Sequence, residues 1–168
     1  MSNTLNKVRV LLIAAWLGAA IFFSGAVAPS AFSVLRSFNV PNATEIAGAI
    51  VNRTLSTVNT SGFFISLLAL VVAVAIRKRY GIRAFVVQIV LLGLMALATG
   101  VGQWVIAARM RTLRQAMGIP IDQVSLADAN RIAFAALHGY SVAALSIAII
   151  AGLIVFFVVC NRVEAGRD

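Results

Sequence analysis

The sequence predicts an all-α integral membrane protein, a four-transmembrane-helix bundle forming one domain over residues 1–168. Four stretches contain no charged residue, at 10–35, 54–76, 84–108 and 132–161. Each exceeds the roughly 20 residues that cross the hydrocarbon core as a helix. Composition agrees: 61% of residues are hydrophobic and 11% charged, where a soluble domain carries about 25% charged. Mean hydropathy is +0.99. The period-two alternation of barrel strands is absent, so helices must satisfy the backbone in lipid. The lipid bilayer is the first partner implied.

The first span, about 10–34, follows Lys7 and Arg9 and runs through Trp16, Phe22 and Gly25 to Pro29. Ala26-Val27-Ala28 resembles a signal-peptide cleavage site. However, the apolar run is longer than the 7–15 residues of a typical h-region, and the stretch reads as a span. Pro29 is expected to bend or end the helix, because it cannot donate to the backbone ladder.

A turn at 36–41 leads to Asn42, with Glu45 three residues on, the spacing of a capping box. The helix that follows is amphipathic at first. Ala47, Ile50, Val51, Thr54 and Val58 share one face; Glu45, Gly48, Asn52, Ser56 and Asn59 share another. It becomes apolar all round from Phe63, so the second helix, spanning about 54–76, is long and projects to the outer side. Asn42, Asn52 and Asn59 match the N-x-S/T pattern, but helical or membrane placement argues against glycosylation.

Residues 77–83 form a short basic loop in which Gly81 supplies the turn. The third span, about 84–108, carries Gln88, Thr99, Gln103 and Trp104, with Gly93, Gly100 and Gly102 expected to allow close packing. It continues through Arg109, Arg111 and Arg114 to a stop signature at Gly118 and Pro120. Ser125, with Asp128 three residues on, is placed to cap the last helix, whose span is about 132–160. Its one cysteine, Cys160, excludes an internal disulfide and reads as a small hydrophobe.

The net charge of +9 comes from basic clusters between the spans, which argues against nucleic acid as a partner. Lys7, Arg9, Arg77, Lys78, Arg79, Arg83, Arg162 and Arg167 fall on one side, and positive-inside makes it cytoplasmic. The expectation is N-in, C-in, in a cell membrane such as the bacterial cytoplasmic membrane. Arg36, Arg53, Arg109, Arg111, Arg114 and Arg131 fall on the outer side. Arg53, Arg109 and Arg131 are expected either to snorkel or pair with Glu45, Asp122 and Asp128, or to attract an anionic ligand.

His138, the sole histidine, lies inside the last apolar run, where an ionisable side chain raises a question of function. In this topology Ser24, Asn59, Gln103, His138 and Ser141 come to similar depth, with Arg53 above them. One reading is an outward-facing pocket in which this set binds or passes a small ion or solute. The other is a structural or accessory subunit in which His138 ties helices together through Asn59 or Ser24. A haem or quinone redox protein is a third, poorly supported by one histidine. A metal, if any, would sit on His138, which lacks companion ligands. No cofactor and no catalytic machinery is implied. A homo-oligomer or a membrane-protein partner is left open.

Residues 16–32, WLGAAIFFSGAVAPSAF, resemble the first-span motif of the transmembrane protein 205-like family, also catalogued as domain of unknown function 4149. The long second helix and Phe134-x-x-Leu137-His138-x-x-Ser141 resemble that family too. Carried over by position, the resemblance marks Trp16, Gly18, Phe22, Pro29, Phe32, His138 and Ser141. The family pattern has an asparagine four residues after the serine, where this chain has Leu145. The resemblance implies membrane residence and a helical bundle, with no settled activity.

Overall fold

The computed structural model describes the backbone of residues 2–77 and 81–164 and the side chains of 4–77 and 81–160. Lys78, Arg79 and Arg167 of the basic clusters lie outside the described residues, as does the side chain of Arg162. The chain forms four long helical rods. The first comprises α1 (Ser2–Phe22), a π-helical segment (Phe23–Val27) and α2 (Ala28–Ser37); the second is α3 (Ala43–Ala75). The third comprises α4 (Ile82–Gly100), a second π-helical segment (Val101–Ile106) and α5 (Ala107–Met117); the fourth is α6 (Ala129–Glu164). All four are long and apolar enough to cross a membrane. The 33 residues of α3 extend about 50 Å at 1.5 Å per residue. Its companions are of similar length, so every rod outreaches the roughly 30 Å hydrocarbon core.

Pro29 does not end the first helix. The Ala28 amide donates to Phe23 O, five residues back, and the helix continues to Ser37. The wider π turn takes in an extra residue just ahead of the proline, where an α-helical ladder would lose a bond.

The rods pack as a ring, each against two neighbours. Buried positions recur at steps of three and four: Ile13, Trp16, Ala20 and Phe23 on the first rod, and Leu145, Ala148, Ala151, Val155 and Val159 on the last. That spacing is the seam of a left-handed bundle. α3 meets it with small residues, Gly62, Ser66, Ala69 and Ala73, which allow close approach where dispersion drives association in lipid. The Trp16 indole lies on Gly62, where an added Cβ would stand 2.6 Å from Nε1. Nε1 donates to Val58 O at 2.9 Å. Gly93, by contrast, has nothing within 4 Å of its Cβ direction, so it is not a close-packing position.

The packing changes at the π segments. Below them, α1 and α4 each pack against both α3 and α6. Above them, α2 packs on α3 and α5 packs on α6, while α2 with α6 and α3 with α5 form no extended pair among the described residues. The bundle is closed at the end holding the termini and forked at the other. The prongs are α2 with the first half of α3, and α5 with the first half of α6.

Candidate functional site

Between the prongs lies a cavity of about 350 Å³. From α3 it takes Glu45, Gly48 and Asn52 of the polar stripe together with Val51 and Leu55, while Ser56 and Asn59 of that stripe stay out of its lining. From α5 it takes Ala107, Met110, Arg111, Arg114 and Gln115, one face at i, i+3, i+4, i+7 and i+8. Phe134, His138 and Ser141 contribute one face of α6, and Phe32 reaches in from α2. The floor is largely apolar; the charges gather at the rim. One turn deeper, Asn59 on α3, Gly102 on the third rod and Leu145 on α6 are buried. Beneath them the seam is filled by Met95, Ala148 and Ala151.

The rim ties the prongs together. Arg114 Nε lies 2.8 and 2.7 Å from the two carboxylate oxygens of Glu45. Glu45 also accepts from the Ile121 amide at 3.2 Å. The expected capping box does not form: Asn42 adopts the left-handed conformation and makes no side-chain cap bond. Instead Asp122, from the loop after α5, accepts from the amides of Thr44 at 3.3 Å and Glu45 at 3.0 Å. Burial pushes the Asp122 carboxyl up, but hydrogen bonds from Thr44 and Glu45 outweigh it and hold the group below its ordinary value. Gln123 Nε2 donates to Asn42 Oδ1 at 3.0 Å, fastening the same loop to the start of α3. At α6 the capping side chain is Asp128, which accepts from the amides of Asn130 and Arg131; the Ser125 hydroxyl accepts from the Ala127 amide instead of capping α6.

These bonds redistribute the outer charges. Glu45 is paired with Arg114, Asp122 and Asp128 cap helices, and the Arg131 guanidinium donates to Val124 O. None of the expected pairs of Arg53, Arg109 and Arg131 with these acids occurs among the described residues. Arg111 lines the cavity with no carboxylate partner among them.

The six residues singled out in the sequence separate into three settings. His138 and Ser141 line the cavity, with Ser141 buried and His138 exposed. Neither makes a side-chain hydrogen bond among the described residues, so His138 is bonded to neither Asn59 nor Ser24. Asn59 and Gln103 belong to the layer below. Asn59 is 3% exposed, and a Cβ on Gly102 would stand 3.1 Å from its Nδ2. Gln103 Nε2 donates to Ser56 Oγ at 2.8 Å, while its Oε1 is buried without a partner. Ser24 and Arg53 are exposed and line no part of the cavity, and Ser24 Oγ donates back to Ala20 O at 2.8 Å. Arg111 and Arg114, read from the sequence only as outer charges, form the rim of the site with Glu45, read as a capping-box residue. The signal that finds the two arginines is the α5 face from Ala107 to Gln115, which stays one-sided after the apolar run ends.

Chemically, the cavity offers the Arg111 guanidinium, unpaired among the described residues, the His138 imidazole, the Asn52 and Gln115 carboxamides and the Thr44 and Ser141 hydroxyls on a largely apolar lining. Among the described residues no three His, Cys, Asp or Glu side chains come together to hold a metal ion. Ser141 makes no hydrogen bond to His138, and the three outer acids serve as a bridge and two caps. Nothing in this arrangement points to catalysis.

No curated protein and no solved structure matches the chain. A family model, described as "Domain of unknown function (DUF4149)", matches residues 11–118, from the first rod to the end of the third. His138 and Ser141 lie beyond the match; Phe32, Glu45, Arg111 and Arg114 lie within it. Covering well over half of a chain whose four helices are long and apolar enough to cross a membrane, that match shows that the protein belongs to the DUF4149 family.

Proposed function

We propose that this multi-pass membrane protein binds a small solute in the fork cavity, with His138 on the cavity wall, Arg111 at its rim and the opening on the outer side. The observation that carries the reading is the cavity itself. Its volume of about 350 Å³ falls at the lower end of the roughly 300–1,000 Å³ of small-ligand pockets. It has the apolar lining and few polar groups that such pockets share. The buried layer of Asn59, Gly102 and Leu145 below the floor favours binding over passage. The outer placement and the cytoplasmic-membrane setting rest on the basic residues clustered near the termini and at 77–83.

Gly48 supplies the test. It lines the cavity, and an added Cβ meets no atom within 4 Å, so Gly48→Phe is expected to fill the site. Wild type, Gly48→Phe and His138→Ala are purified in mild detergent, and co-purifying small molecules are compared by mass spectrometry. The binding reading expects a species in wild type that is lost in Gly48→Phe and depleted in His138→Ala, at unchanged thermal stability. Identical profiles in all three contradict it and leave an accessory subunit as the reading.

A further inference from the structure

Resting on that reading, we propose that the ligand is a single-chain anionic amphiphile that enters the cavity sideways from the bilayer. The fork provides the route. With no extended packing between α3 and α5 above the second π segment, the prongs leave a lateral cleft beneath the Glu45–Arg114 bridge. The cleft opens onto the same cavity that Leu55, Met110 and Phe134 line. Leu55, Ala107 and Ser141 of the floor fall within the charge-free spans, while Glu45, Arg111 and Arg114 lie beyond them, so a chain from the edge of the hydrocarbon layer reaches the floor with its headgroup at the rim.

Charge selects the headgroup. Glu45 neutralises Arg114, which leaves Arg111 as the uncompensated charge on the cavity among the described residues. A guanidinium on an apolar stem recognises a carboxylate or phosphate in a fork geometry while its stem stays among apolar groups. Asn52, on the facing prong, offers a carboxamide to the same headgroup. A cationic amphiphile would meet Arg111 with like charge, and a soluble anion would leave the floor unfilled. At about 350 Å³ there is room for one short chain, not for a two-chain lipid.

Native mass spectrometry of the purified protein in neutral detergent tests this with dodecanoate, dodecyltrimethylammonium, acetate and inorganic phosphate as probes. Dodecanoate is expected to bind one to one. Arg111→Gln weakens that binding by about tenfold or more, as loss of a charge-assisted bond predicts. Arg36→Gln, an exposed outer arginine away from the cavity, leaves it unchanged. Equal binding by Arg111→Gln, or of the cationic probe, overturns the headgroup assignment. Acetate or phosphate binding as well as dodecanoate overturns the bilayer source. If dodecanoate fails while Gly48→Phe still loses a co-purifying species, the amphiphile falls and the cavity stands; if both fail, both fall. Thermal melts of each variant, expected to match wild type, exclude misfolding as the cause.

Discussion

Trp16 sets the register of the first two rods, because a planar indole on a glycine leaves no slack. A methyl group at Gly62 would come 2.6 Å from Nε1, and the ring is held by its bond to Val58 O. Gly62→Ala is therefore expected to cost about 1–3 kcal/mol, the range for overpacking a filled seam. Adding Trp16→Phe to Gly62→Ala should recover part of that loss, since the smaller ring vacates the contested space. Thermal unfolding of the two single variants and the double variant reads this coupling; additive losses would contradict it. At this scale the sequence was partly legible. His138 and Ser141 stand out as polar residues in an apolar run, and they line the cavity. Ser24 stands out equally and lies outside it, because a helix apolar all round does not announce which face is the seam. The Glu45–Arg114 pair is 69 positions apart, and no local pattern links its members.

Elements were legible in extent and less so in their ends. Charge-free runs mark where each rod lies, since removing charge is what a membrane span requires, but α3 starts at Ala43, ahead of the run at 54, and α5 ends at Met117, past the run's end at 108. Pro29 does not end its helix, because the π turn ahead of it absorbs the lost bond. Asn42 and Glu45 have capping-box spacing, yet the cap on α3 comes from Asp122 across the fork. Local spacing cannot reveal a competitor that arrives from another loop. The cap carries a sign in pH. The folded-state value of Asp122 is lowered, so its contribution is present above the ordinary carboxylate value of about 3.9 and is lost as pH falls through the folded value. Asp122→Asn should lower the melting temperature at neutral pH, and the gap to wild type should close on acidification below about pH 4. A gap independent of pH would show that the carboxylate charge is not what caps α3.

For the whole molecule, the four-rod bundle was readable and the fork was not. Seam and lipid face are both apolar here, so composition does not say where neighbouring rods part. Both π segments lie where the parting begins. An inserted residue turns the helix beyond it by about 100°, which is enough to take a packing face off its former neighbour. The fork thus follows from two local insertions, and the cavity follows from the fork. Glu45 with Arg114, and the loop holding Asp122, then bridge the prongs across the opening.

The proposed site requires a cavity that reaches Ser141 and stops there. With Cys160 replaced by alanine, a cysteine at Ser141 on the cavity wall is compared with one at Ala148, fully buried about two turns deeper. Each variant is treated with a small membrane-impermeant thiol reagent added from the outer side. Labelling is expected at 141, slowed by dodecanoate, and none at 148. An unreactive cysteine at 141, or equal labelling at 148, would contradict an outward cavity with a closed floor.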